Sequence, residues 1–333
     1  MKRFLQQRNL GIFAVVVALF AIFSAIEPLF ATAANIERIL RGVGILFVLA
    51  IGQMMVVATR NIDLSIGSTL GMSAMALAIV AKDHPSTPLI VLVLIALAVG
   101  TLAGVLNGVL VAIADVPAII ATLGTLAVYR GLVFTISDSG TVEAQFIPQA
   151  VKRLAVTPMR SMSWLVITGL IIAAIAWLVT QRTLTGRRLF AVGSNPEAAQ
   201  ARGLPVTGIT IGVFAAMGAL AGVAGVLYVG QYGTVNASSV GIGFELTAIT
   251  AVVVGGTNIF GGSGSVVGTV LGCLVIGLLD NGLKVLRVDS FWQQAAEGAI
   301  ILVAVVADTL VRRRQDLRRA LTRRSGVAWT PAS

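Results

Sequence analysis

The chain has 333 residues, of which 57% are hydrophobic and 11% charged, with a mean hydropathy of +0.95; soluble domains carry about a quarter charged residues, so a soluble enzyme or binding module is excluded. A formal charge of +10 does not make a nucleic-acid surface, because the basic residues gather beside apolar runs and not on a stripe with interleaved aromatics. One cysteine, Cys273, inside an apolar run excludes a disulfide framework and reads as a small core residue.

Each crossing of about 30 Å of hydrocarbon takes roughly 20 apolar residues, so the expected class is an all-α polytopic membrane protein of about ten spans in one domain, residues 1–333. Residues 1–8, with Lys2, Arg3 and Arg8 ahead of an apolar run, have the pattern of a signal peptide or of an uncleaved first helix. Because many apolar runs follow, a helix near 9–28 is expected. Further spans are expected near 42–60, 64–81, 88–113, 116–136, 164–181, 207–229, 245–260, 264–284 and 291–311. If the Gly-rich segments are re-entrant, the count falls to about eight. Both counts place the termini on one side. Cytoplasmic termini put Arg182, Arg187, Arg188, Arg202 and the basic tail 312–333 inside, as the positive-inside rule requires.

Between the second and third runs stands Asn61-Ile62-Asp63-Leu64-Ser65-Ile66-Gly67-Ser68, and its echo Asn258-Ile259-Phe260-Gly261-Gly262-Ser263-Gly264-Ser265 lies between the eighth and ninth. Polar, Gly-rich backbone at membrane depth is tolerated only where protein or a water-filled cavity satisfies it, which points to a solute pathway. Asp63 is expected to cap a helix from Leu64. Asn61, Ser65, Ser68, Asn258, Ser263 and Ser265 offer the weak donors and acceptors a neutral solute needs, or else cap helices and close the breaks. Asn107 and Asn281, on helices after each break, suit interhelical hydrogen bonds. Ionisable residues in apolar runs are functional candidates by default: Arg130 in mid-span, then Glu245, Asp280, Glu297 and Asp308 near span ends. Glycines at four-residue spacing, at 67 and 71, 100 to 108, 218 and 222, and 264 to 272, predict closely packed helices.

Two connections are long enough to carry structure, 137–163 outside and 181–207 inside. The inner one reads as a punctuated helix. Asn195 is its N-cap, Pro196 its first residue and Glu197 faces the positive end of its dipole, while Gly203 ends it and Pro205 blocks continuation. Its two turns of Ala, Gln and Arg have no stripe broad enough for a core. It is expected to dock on a partner protein or to rest on the bilayer.

Glu197-Ala198-Ala199 followed by Gly203 resembles the EAA-type loop by which permeases of ATP-binding cassette importers grip their ATPases. With Asn61 to Ser68, Ala121-Thr122-Leu123-Gly124-Thr125 and Gly255 to Ser265, nearly the whole chain resembles the ribose/xylose/arabinose-type sugar permeases, the inner-membrane components of binding-protein-dependent transport systems. Arg60-Asn61 departs from that family's usual small pair. The resemblance implies a subunit in the bacterial inner membrane that moves a monosaccharide inward. It also implies cytoplasmic ATPases that bind ATP and Mg, a periplasmic or lipoprotein sugar-binding protein, and a second permease copy or paralogue. Arg187, Gly193, Asn195, Pro196, Glu197, Ala198, Ala199 and Gly203 would be the coupling residues, and this chain would hold no cofactor.

Other chemistries find little support. No phosphate-binding G-x-x-x-x-G-K-[ST] occurs, and Gly262-Ser263-Gly264 misses dinucleotide spacing. The single His84 sits in a connection without companions for a metal site or triad. The rival reading is an ion-coupled secondary transporter of a small polar solute, for which Asp63 alone is thin support.

Overall fold

Long apolar runs satisfy their own backbone as helices, because nothing else in a bilayer can pair their N–H and C=O groups. In a computed structural model, described for residues 2–155, 163–289 and most of 291–306, with side chains from residue 9, the helices follow those runs in order. They are α1 Lys2–Ile26, α2 Ala33–Ala58, α3 Ile66–Asp83, α4 Leu89–Ala112 and α5 Ala118–Ile136. After a short strand β1, Thr141–Val142, come α6 Gln149–Lys152, α7 Trp164–Arg182, α8 Leu184–Ser194 and α9 Pro196–Ala201. Then follow α10 Val206–Tyr232, strand β2 Val235–Asn236, α11 Phe244–Val254 and α12 Val266–Val285. Among the described residues, seven helices are long and apolar enough to cross a membrane: α1, α2, α4, α5, α7, α10 and α12. The tail 312–333, Glu297, Asp308, the charged side chains of residues 1–8 and part of the expected last span lie outside the described residues.

The core is centred on α2, whose residues 43–54 are all buried, against α7, α10, α11 and α12. The outer faces of α4, α5 and α7 expose Leu94, Leu102, Ile119, Ile120 and Ile171. That arrangement suits a bundle surrounded by lipid, where exposed apolar surface carries no penalty.

The glycine spacings are used as seams. Gly100, Gly104 and Gly108 of α4 lie against Gly218 and Gly222, Phe214, and Ile211 of α10, numbers that run oppositely and so define an antiparallel pair. A Cβ on Gly104 would meet the Phe214 carbonyl oxygen, and one on Gly218 the Gly100 carbonyl oxygen. Gly268 and Gly272 of α12 seat the backbone of Gly255 and Ala251 in the same way. Gly67 and Gly71 differ, because what they face is not another helix backbone, although the Glu245 carboxylate from the first turn of α11 also lies against Gly67. They face the irregular segment 237–243, where the Gly241 and Val240 carbonyls approach them.

That segment is the part of the fold hydropathy does not foresee. Past Gly233, β2 pairs antiparallel with β1 in the loop before α7, and the chain then turns back between α3 and α5. Gly241 and Gly243 take φ of 74° and 86°, open to glycine and costly for other residues. Arg130 of α5 donates to the Val240 carbonyl at 2.6 Å and holds the segment. α11 begins there, and its 11 residues span about 16 Å, roughly half a bilayer core. The span expected at 245–260 is thus a half-helix ending at Val254.

Candidate functional site

Both sequence breaks lie at one end of the bundle, against α8. Residues 59–65 join α2 to α3, and residues 255–265 join α11 to α12. The Gly262 N–H donates to the Ala58 carbonyl at 2.9 Å, satisfying a carbonyl that the end of α2 leaves open. Arg60 donates from Nε to the Phe260 carbonyl at 3.0 Å and from a terminal nitrogen to the Ser194 carbonyl at 2.8 Å. Gly193 is buried where a Cβ would overlap the Ala58 carbonyl oxygen. Three segments far apart in sequence thus meet through backbone atoms and one arginine.

Within each break the polar residues make local closures. Asn61 Nδ2 donates to the Thr59 carbonyl and hydroxyl, both at 3.1 Å. Asn258 Oδ1 accepts from the Phe260 N–H at 2.8 Å, and its own N–H donates to the Ser263 carbonyl at 3.1 Å. Ser265 caps α12 by accepting from the Gly268 N–H at 3.1 Å. Asp63 does not cap a helix from Leu64. The helix begins at Ile66, and Asp63 Oδ1 instead accepts from the Ser65 N–H at 2.8 Å and hydroxyl at 2.7 Å. With its carboxylate closing a turn on Ser65, Asp63 is spent before the helix starts at Ile66. Ser65 in turn accepts from Asn107 Nδ2 at 2.8 Å, and the Tyr129 hydroxyl lies 3.3 Å from Asn107 Oδ1. Asp63, Ser65 and Asn107 are buried together with Tyr129, a member that sequence reasoning passed over. Its hydroxyl inside the α5 run was the available clue. Ser68 is buried with no hydroxyl partner among the described residues. Asn281 accepts from Asn35 Nδ2 at 2.9 Å, joining α12 to α2.

The connection 181–207 holds two helices where one was expected. α9 forms as its punctuation predicts: Asn195 Oδ1 accepts from the Ala198 N–H at 2.9 Å, Pro196 leads, and Gly203 takes φ of 78°. Arg187, Glu197 and Ala198 are exposed, whereas Ala199 is buried against the bundle. α8 was missed. Its signs were Thr183, whose hydroxyl accepts from the Gly186 N–H at 3.3 Å, and the one-sided spacing of Gly186, Leu189, Val192 and Gly193, all buried.

At the opposite end, α2, α11, α12, the last turn of α10 and, beyond α12, Gln293 and Gly298 line a partly open cavity of about 860 Å³, within the ~300–1,000 Å³ usual for small-molecule sites. Arg38, Gln231, Glu245, Asp280, Asn281 and Lys284 are among its polar lining residues. Lys284 pairs with Asp280 at 2.7 Å, and Glu245 Oε1 accepts from the Gly243 N–H at 3.3 Å. Gln231 Oε1 is buried without a partner among the described residues. Among the described residues, two acidic and two basic groups line it. Glu245 and Asp280 were flagged by burial in apolar sequence, but nothing local linked them to Gln231 or Arg38. No group of three or more metal-ligating His, Cys, Asp or Glu side chains occurs among the described residues.

Comparison with known proteins is consistent along the whole chain. The autoinducer 2 import system permease protein LsrC of Enterobacter sp. (strain 638) is 36% identical over 323 residues, covering 97% of this chain and 91% of that protein. The ribose import permease protein RbsC of Haemophilus influenzae is 36% identical over 317 residues, 92% of this chain and 94% of that one. The LsrC of Escherichia coli (strain K12 / DH10B) is 34% identical over 333 residues, 97% and 95% of the two chains. No solved structure matches. The family described as branched-chain amino acid transport system / permease component matches residues 35–305, and the chain belongs to that family.

Proposed function

We propose that this chain is the membrane-spanning permease subunit of an ATP-binding cassette importer that carries a monosaccharide, a pentose or a related sugar, into the cytoplasm. Support for a sugar over an amino acid comes from the two full-length relatives named for ribose and autoinducer 2 import. A cavity whose described lining carries as many acidic as basic groups suits a neutral polyol, bound weakly enough to leave again. Arg38 to Leu46 of α2 line it while Ala58 of the same helix meets α8; α12 likewise runs from the break at Ser265 to Asp280. A solute chamber and a cytoplasmic handle therefore share two rigid elements.

The observation that carries the reading is α9: a capped helix with Glu197 and Ala198 outward, anchored through α8 to both breaks. A partner ATPase gripping it biases the bundle between outward-facing and inward-facing states only if its contacts differ between them. ATP and Mg bind the partner, a sugar-binding protein delivers the solute, and a second permease completes the path. On this reading the substrate route runs past Arg130 and the irregular segment 237–243 toward Asn61, Asp63, Ser65, Ser68, Asn107, Asn258, Ser263 and Ser265. The test is reconstitution with the cognate ATPase and binding protein, comparing labelled ribose with leucine. ATP-dependent ribose uptake that Glu197→Arg or deletion of 195–203 abolishes is expected. Unchanged uptake in those variants, or uptake driven by an ion gradient without ATP, would overturn it.

A further inference from the structure

We infer that Arg60 is the positioning residue that makes α8–α9 and the two breaks move as one unit, so that force on the handle reaches the helices. This deepens the importer reading above and rests on it. Arg60 takes φ of 68°, a conformation that disfavours any residue with a Cβ. Among the described residues it is the side chain that bonds both the second break, at Phe260, and the end of α8, at Ser194. The C-terminal carbonyls of α8 lack helical partners and carry the negative end of its dipole, which a guanidinium complements. Its planar fork reaches two carbonyls in different directions, which an ammonium does not do as well.

The neighbouring contacts are backbone packing: Gly262 N–H on the Ala58 carbonyl, Gly193 on that same carbonyl, and Gly261 against Arg60 Cγ and the Gly193 carbonyl. Such contacts resist compression, but only the first is a bond that resists separation. When α8 is pulled away from the bundle, the bond from Arg60 to Ser194 is the side-chain tie that draws residues 58–62 and 258–262 after it.

The test uses Arg60→Gly and Arg60→Asn, since glycine adopts φ of 68° freely and asparagine tolerates it, with Arg60→Lys as the charge-keeping control. In the reconstituted importer, sugar moved per ATP hydrolysed should fall roughly 2- to 10-fold in the Gly and Asn variants, the scale of one hydrogen bond, since both Arg60 bonds are solvent-exposed, with ATPase co-purification unchanged. Arg60→Lys should recover only part. In the isolated permease, amide exchange should rise together at 193–195 and 260–262 and nowhere else. Unchanged sugar per ATP, full recovery by lysine, loss of ATPase assembly, or unaltered exchange at those two stretches would each overturn the assignment. If the wild-type complex takes up no sugar with ATP, the importer reading fails, and the exchange measurement still decides whether Arg60 ties the three segments.

Discussion

Replacing Gly218 by Ala drives a methyl group into the α4 backbone: its Cβ would meet the Gly100 carbonyl oxygen and lie 2.8 Å from the Gly104 Cα and N. None of these atoms is the tip of a side chain that can rotate away, so the antiparallel helices must separate. Overpacking of this kind costs about 1–3 kcal/mol. Alanine regains about 1 kcal/mol of helix propensity over glycine, so the net loss is about 2 kcal/mol at most. Gly212, on the same helix six residues earlier, has nothing within 4 Å of its Cβ position and is exposed. Gly212→Ala receives the same propensity gain without the clash. The difference between the two variants therefore isolates the steric cost, about 1–3 kcal/mol. Unfolding of detergent-solubilised protein by increasing denaturant mole fraction, followed by tryptophan fluorescence, measures it. Equal stability of the two variants would refute the claim that α4 and α10 touch through glycine backbone.

Asn195→Ala removes the cap of α9 and should cost about 1 kcal/mol locally, read as faster exchange of the Ala198 amide whose bond it breaks. Asn107→Ala loses the bond to Ser65 and the acceptor facing Tyr129. Buried bonds of this kind in membrane proteins average about 0.6 and reach about 1.7 kcal/mol, so a double-mutant cycle with Ser65→Ala should show coupling in that range. Gln231→Ala removes the unpartnered carbonyl oxygen of the cavity. One neutral hydrogen bond of about 0.5–1.5 kcal/mol corresponds to a roughly 2- to 10-fold rise in the KM for sugar uptake. An unchanged KM would take the cavity off the solute route.

Composition and local pattern alone determined the membrane class, the order of the apolar helices and the punctuation of α9. Each depends on residues within one turn or one bilayer thickness of each other: hydropathy over about 20 residues, or Asn195, Pro196 and Gly203 around six helical positions. The glycine spacings were legible too, but not their partners, because a smooth face says that something approaches closely and not what. Tertiary structure alone decided that Gly67 and Gly71 seat the irregular segment 237–243, and that α11 stops at Val254 after 11 residues. It also decided that Ala58, Ser194 and Gly262 share one point, and that Arg38, Gln231 and Asp280 share one cavity. Those arrangements join residues from 49 to more than 200 positions apart, where the determining terms are steric fit and hydrogen-bond closure between segments, which no local window of sequence contains.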